Sequence, residues 1–187
     1  MNVIICGPPG AGKGTQANNI VKKFNLYQIS TGDLLRNEVK NQTDLGKDIE
    51  NIISEGDFAT DEIVSELIKK VIFDSQKKNR LIFDGYPRSL SQAKNLAILL
   101  AKSKQEIDYI FFLNVNKETI IKRIEKRKLL EKRSDDNLNT ILKRYDTYME
   151  TTRPVLDFYS KNSNFYEIDG GEEIQVISSK IEQILSV

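Results

Sequence analysis

Histidine does not occur anywhere in the 187 residues, and cysteine occurs once, at Cys6. The missing imidazole excludes Ser-His-Asp triads, histidine general acid–base chemistry and histidine-ligated metals. A lone cysteine excludes an internal disulfide and a four-cysteine zinc site, so zinc is not expected. Cys6 sits in the apolar run Val3-Ile4-Ile5-Cys6 and reads as a small core residue. An excess of either charge is also missing: 28 Lys and Arg against 27 Asp and Glu leave a formal charge of +1. No bulk attraction to nucleic acid or anionic lipid follows, and any anion site must come from local clustering. The apolar runs fall far short of a membrane span, and no charged leader precedes the first of them. Neither an anchor nor a signal peptide is expected, and a reducing cytoplasm is the default compartment. Pro/Gly-rich linkers, repeats and low-complexity tracts are missing too, and the length suits one core rather than two full domains.

Short apolar runs alternate with longer helical patterns. Strands are expected at Asn2–Cys6, Tyr27–Ser30, Leu81–Asp84, Tyr109–Asn114 and Phe165–Ile168. Helices are expected over about 13–24, 32–41, 45–55, 61–75, 89–102, 117–128, 137–161 and 173–185. Alternation of this kind with near-continuous apolar strands predicts an α/β fold, a parallel sheet with helices on both faces. Ligands in such folds bind at the carboxyl ends of the strands, so the loops that follow the strands carry the chemistry. Residues 31–59 break the alternation with two helical patterns and no strand, which reads as a small helical insertion. The charged stretch 127–133 reads as a second, smaller excursion.

Four stretches stand out at those loops. Gly7-Pro8-Pro9-Gly10-Ala11-Gly12-Lys13-Gly14-Thr15 follows a strand and opens a helix, the context a phosphate-binding loop requires. Its backbone N–H groups and helix N-terminus suit phosphate oxygens, and Lys13 neutralises their charge. Gly14 stands where the usual pattern has the Ser or Thr that helps hold Mg²⁺, and Thr15, one residue later, otherwise reads as a first-turn helix residue. In Leu81-Ile82-Phe83-Asp84-Gly85-Tyr86-Pro87-Arg88-Ser89-Leu90-Ser91-Gln92, a buried strand ends in Asp84, where a carboxylate organises Mg²⁺ through water or simply forms the turn. Ser89 and Gln92 have capping-box spacing, so Gln92 is either a ligand contact or a helix cap. Within Ile29–Arg36, taken alone, Thr31 reads as an N-cap and Arg36 as a solvated helix residue. The fourth signal is the set Arg123, Arg127, Arg133 and Arg144. Arg123 and Arg127 share a helix face, which is either a solvated basic face or a phosphate clamp suited to arginine's planar fork.

Together these stretches, with Arg127–Asn137, resemble the nucleoside monophosphate kinases in order and spacing, and most closely the short-lid adenylate kinases. The resemblance covers essentially the whole chain. It implies the P-loop NTPase fold: five parallel strands, a monophosphate-binding helical segment at 31–59 and a short lid at 128–135 within one kinase domain, 1–187. It implies ATP + AMP ⇌ 2 ADP with Mg²⁺, on small nucleotides alone, by a monomer that binds neither nucleic acid nor membrane. Gly10, Ala11, Gly12, Lys13, Gly14 and Thr15 would then hold the ATP phosphates, Arg123 would flank the ATP adenine, and the loop ending in Glu172 would touch it through backbone. Arg36 and Arg88 would take the AMP phosphate, and Arg127, Arg133 and Arg144 would close over the phosphates in flight. Thr31, Asp57, Phe58, Ala59, Gly85 and Gln92 would complete the AMP site, with Asp84 near the metal through water. An AMP phosphate, with a second pKa of about 6, attacks without a general base, in keeping with the missing histidines.

Two departures from the family pattern stand out. Ala59 replaces a larger aliphatic residue, which predicts looser AMP packing. Lys128–Lys132 lacks the lid glycines, which predicts that the preceding helix runs on into a stiffer lid. UMP/CMP kinase is the nearest alternative, from which Thr31 and Gln92 point away. A regulatory GTPase lacks support, because Asn116-Lys117-Glu118-Thr119 has no acid at its fourth position. A binding-only module would not need six arginines around a transferring phosphoryl group.

Overall fold

The computed structural model describes residues 1–54, 59–131 and 138–186. Five strands, β1 (Val3–Cys6), β2 (Tyr27–Ser30), β3 (Leu81–Asp84), β4 (Tyr109–Asn114) and β5 (Phe165–Asp169), form one sheet in the order β2-β3-β1-β4-β5, with every pairing parallel. Crossovers are helical: α1 (Lys13–Phe24), α2 (Thr31–Lys40), α3 (Asp44–Ser54), α4 (Asp61–Ile72), α5 (Leu90–Lys102), α6 (Lys117–Glu131), α7 (Leu138–Thr147), α8 (Arg153–Tyr159) and α9 (Ile174–Leu185). No helix among the described residues is long and apolar enough to cross a membrane.

The unbroken apolar strands are explained by the two cores they feed. Ile4, Cys6, Leu81, Phe83, Ile110 and Phe112 face one cluster, with residues of α2 to α5 and α8. Val3, Ile5, Ile82, Phe111 and Leu113 face the other, with residues of α1, α6, α7 and α9. Side chains alternate faces along a strand, so only a sheet covered on both sides needs every position apolar. Each fully buried aliphatic or aromatic side chain contributes about 1.5–3 kcal/mol. A surface ion pair such as Lys23 with Glu182 contributes about 0–1 kcal/mol, so the two cores dominate.

The strand expectations hold to within a residue, and the helices differ where local chemistry intervenes. The expected helix 61–75 ends at Ile72 and is followed by a 3₁₀ turn at Ser75–Lys77, for which Asp74 accepts from the Gln76 N–H. The single helix expected over 137–161 is three pieces. A π-turn at Tyr148–Thr152 separates α7 from α8, and Pro154, near the start of α8, has no N–H to give the carbonyl four residues back. The N-cap of α2 is Ser30, which accepts from the Asp33 N–H, and not Thr31, which is the first helical residue. The helix entering the lid does run on, through Glu131. The rest of the expected lid, 132–135, lies outside the described residues.

A polar cluster ties the opposite end of the sheet together. Asn2 is fully buried; its amide donates to the Glu106 carbonyl at 2.9 Å and to Gln105 Oε1 at 3.3 Å, and its Oδ1 accepts from the Leu81 N–H at 3.2 Å. Removing one buried partner strands the others, at about 1–3 kcal/mol for each group left unsatisfied. For a chain of this size one kcal/mol shifts Tm by about 2–4 °C. Asn2→Ala should therefore lower Tm by about 4–10 °C in thermal unfolding. The catalytic constants should stay within about twofold, because the cluster lies at the end of the sheet away from the phosphate loop.

Candidate active site

The phosphate loop bridges β1 and α1. Gly10 and Gly12 adopt φ of 80° and 95°, a region that side chains rarely enter, and a Cβ on Gly10 would lie 2.8 Å from Ile124 Cγ1. Gly12 is the N-cap of α1, which begins at Lys13. Gly12, Lys13, Gly14 and Thr15, at that helix start, line the cavity described below, and the unpaired N–H groups of a helix N-terminus suit an anion. Lys13 Nζ donates to the Gly7 and Pro8 carbonyls, each at 2.9 Å, so the loop folds around its own lysine.

Because β3 pairs with β1, Asp84 lies beside the loop. Gln28 Nε2, from β2, donates to Asp84 Oδ2 at 3.0 Å. A Cβ on Gly14 would stand 3.5 Å from that same oxygen, so glycine there keeps the space between helix start and carboxylate clear of any side chain. After Asp84 the chain turns through Gly85, whose carbonyl accepts from Arg88 Nε at 2.7 Å and from the Thr31 hydroxyl at 3.1 Å. Arg88 is further fixed by Gln92, whose Oε1 accepts from the Arg88 N–H at 2.7 Å. The Gln92 N–H bonds the Ser89 hydroxyl at 3.1 Å, and its Nε2 donates to Asp61 at 2.6 Å. The capping reading of Gln92 is thus part of its role: it closes the start of α5 and holds the turn that presents Arg88.

These loops surround a cavity of about 700 Å³. Gly10, Ala11, Gly12, Lys13, Gly14, Thr15, Arg36, Asp84, Gly85, Arg88, Arg123, Arg127 and Arg144 all reach its wall, so these residues meet there from five separate segments. Thr31, Ala59 and Gln92 are buried behind the wall. Ala59 packs in the core cluster with α2 and α4 residues. Arg123 bonds backbone: it donates to the Gly170 carbonyl at 2.7 Å, the Ala11 carbonyl at 3.3 Å and the Glu172 carbonyl at 3.4 Å. It therefore joins the phosphate loop to the loop after β5. The Glu172 carboxylate pairs with Lys180 at 2.6 Å. Asp57, Phe58 and Arg133 lie outside the described residues.

Several wall residues had no motif to announce them. Gln28, Tyr148, Thr152, Ile174 and Ile177 all line the cavity. Gln28 carried a signal: a polar residue two positions before Ser30 and on the same face of β2. Asp61, which accepts from Ser89, Ser91 and Gln92 and so joins the start of α4 to that of α5, carried none.

The electrostatics show a site short of negative charge. Burial pulls Lys13 down from 10.5 to about 8, an effect that Asp84 opposes and Arg88 reinforces. Arg88 falls to about 10, through burial and then through Arg144. Burial pushes the Asp84 carboxyl up, while Lys13, the Gln28 hydrogen bond and Arg88 pull it back. Lys13, Arg36, Arg88, Arg123, Lys126, Arg127 and Arg144 line the cavity with the carboxylates Asp33 and Asp84, an excess of positive charge suited to polyphosphate. Among the described residues no group of three or more His, Cys, Asp or Glu side chains is placed to hold a metal by itself. One carboxylate beside a phosphate cradle fits a Mg²⁺ ion bound mainly through phosphate oxygens and water.

Comparison with known proteins agrees with this geometry. The family model described as adenylate kinase matches residues 5–164. An adenylate kinase of Pelagibacter ubique (strain HTCC1062) is 50% identical, with both chains covered completely. That of Mycoplasma capricolum is 38% identical over 90% of this chain and 91% of its own. A third, from Caulobacter sp. (strain K31), is 37% identical over 100% of this chain and 99% of its own.

The depressed lysine has a measurable consequence. Phosphate charge stabilises the ammonium form and raises the Lys13 pKa, so binding takes up a proton wherever the free protein holds Lys13 neutral. The uptake should be largest between about 8 and 10.5 and vanish well below 8, where Lys13 is already protonated. Calorimetric titration with a nucleoside triphosphate near pH 8.5–9, in buffers of different ionisation heat, should show uptake of roughly 0.5–1 proton, which Lys13→Met abolishes.

Proposed function

Because the chain belongs to the adenylate kinase family, which moves a phosphoryl group between ATP and AMP, we propose that the cavity between the phosphate loop and the Asp84–Arg88 turn holds both nucleotides at once. ATP lies with its phosphates on Gly10–Thr15 and its base toward Arg123 and the loop ending in Glu172. AMP lies with its phosphate on Arg88 and Arg36, on the side of Thr31, Gly85, Gln92 and the segment containing Asp57, Phe58 and Ala59. The observation that supports this reading is the meeting of Lys13, Asp84, Arg88, Arg127 and Arg144 around one cavity. Arg133 joins that set on this reading.

Transfer then requires alignment and charge neutralisation. An ionised AMP phosphate oxygen attacks the γ-phosphorus of ATP, the bond from that phosphorus to the β,γ-bridging oxygen breaks, and ADP leaves as the AMP becomes ADP. No proton need move, because the second pKa of the acceptor phosphate is about 6. Lys13 and the arginines stabilise charge on the transferring group, which is loosely bonded at the transition state. Asp84, held by Gln28, would hold a magnesium ion brought in with ATP through water, and such an ion would supply further charge neutralisation there. Closing of the segments on either side excludes water, the competing acceptor. On this reading one copy of the chain, in the cytoplasm, is the working unit.

On this reading the acceptor side of the site rests on two helix starts, that of α2 with Thr31 and that of α5 with Gln92. Coupled assays of ADP formation should give faster turnover with AMP than with UMP or CMP as acceptor; faster turnover of UMP would overturn the assignment. In Arg88→Met, kcat/KM for AMP should fall about a hundredfold or more while ATP binding changes little, since the lost guanidinium faces the acceptor. Equal losses toward both nucleotides would remove Arg88 from the role given to it.

A further inference from the structure

The π-turn between α7 and α8 changes which residues face the cavity. There the Arg153 N–H reaches the Tyr148 carbonyl, five residues back instead of four. On a regular α-helix, each four-residue step rotates a side chain about 40° past its predecessor, so two steps carry it about 80° away. The wider turn offsets that drift, and Arg144, Tyr148 and Thr152, spaced by four, all line the cavity. Single π-turns of this kind occur often at functional sites.

Thr152 is 5% exposed, and its hydroxyl donates across to the Arg88 carbonyl at 3.0 Å. Two neighbouring threonines behave differently. Thr147 and Thr151 donate to carbonyls four residues back in their own helix, Lys143 at 2.9 Å and Thr147 at 2.7 Å. Thr152 thereby joins other anchors of Arg88: Gln92 holds its N–H, the Gly85 carbonyl its Nε, and Thr31 Oγ1 accepts from its Nη2 at 3.5 Å. The Thr152 bond differs in coming from the helical stretch that also carries Arg144.

We propose that Thr152 is a positioning residue for phosphoryl transfer: its hydroxyl, brought to the cavity by the π-turn, fixes the Arg88 backbone so that the guanidinium meets the acceptor phosphate. The proposal rests on the assignment of Arg88 to AMP. Displacement of a reacting group or its clamp by about 1 Å costs on the order of a hundredfold in rate, so loss of one anchor has a visible effect.

The test compares Thr152→Val, which keeps the shape and loses the hydroxyl, with Thr152→Ser, which keeps the hydroxyl. Thr152→Val should lower kcat/KM for AMP about tenfold or more with the KM for ATP within about twofold, and Thr152→Ser should restore most of the loss. If the valine variant does not fold, Thr152→Ala takes its place in the same comparison. Arg88→Met and the double variant complete a cycle, in which Thr152→Val should add little once Arg88 is gone. Wild-type AMP kinetics in Thr152→Val, losses toward ATP and AMP alike, or full additivity with Arg88→Met would each overturn the proposal while leaving the Arg88 assignment intact. AMP use unaffected by Arg88→Met would overturn that assignment, and the role of Thr152 with it.

Discussion

Parallel pairing of β1 with β3, which sets Ile5 opposite Asp84, is the constraint on which the site depends. It brings two strand ends side by side, one leading into the phosphate loop and the other into the carboxylate and the Asp84–Arg88 turn. β2 on the far side of β3 sets Ser30 opposite Asp84 and so starts α2 beside the same spot. The two cores hold that register, because a slip by one residue would exchange every inward side chain between the faces of the sheet. The chemistry is thus positioned by apolar burial well away from the reacting atoms.

What the register assembles is a deficit of negative charge. Lys13 and Arg88 are both pushed toward their neutral forms by burial, and the Asp84 carboxyl is itself pushed up. Bringing polyphosphate into such a site relieves the cations and gains electrostatic strength from their low-dielectric surroundings. A nucleophile that is already anionic needs no base, so a chain without histidine loses nothing by lacking one. Arginines suit the task better than lysines because their planar forks hold phosphate oxygens in two directions and stay charged when buried.

Much of this was legible in the sequence, for definite physical reasons. Strands covered on both faces appear as unbroken apolar runs, and a phosphate loop announces itself because backbone approach demands glycine at fixed positions. The parts that were not legible are those where a side chain acts through tertiary contact. Thr31 looked like a cap and is instead a donor to the Gly85 carbonyl, because Ser30 already caps α2. Gln92 offered a choice between cap and ligand contact; the structure shows it closing the start of α5 and fixing Arg88. The π-turn was hidden because a five-residue hydrogen bond leaves the apolar period of the flanking helices nearly unchanged. Pro154 was its one visible cue.

The magnesium dependence of Asp84→Asn tests the account most directly, since it removes one charge and preserves the shape. ADP formation measured across a magnesium titration should lose about a hundredfold or more in kcat. Binding of metal-free ATP should be unchanged or tighter, because a negative charge has left the neighbourhood of its phosphates. A variant that responds to magnesium as the wild type does, or that loses metal-free ATP binding, would contradict the place given to Asp84 beside the phosphate loop.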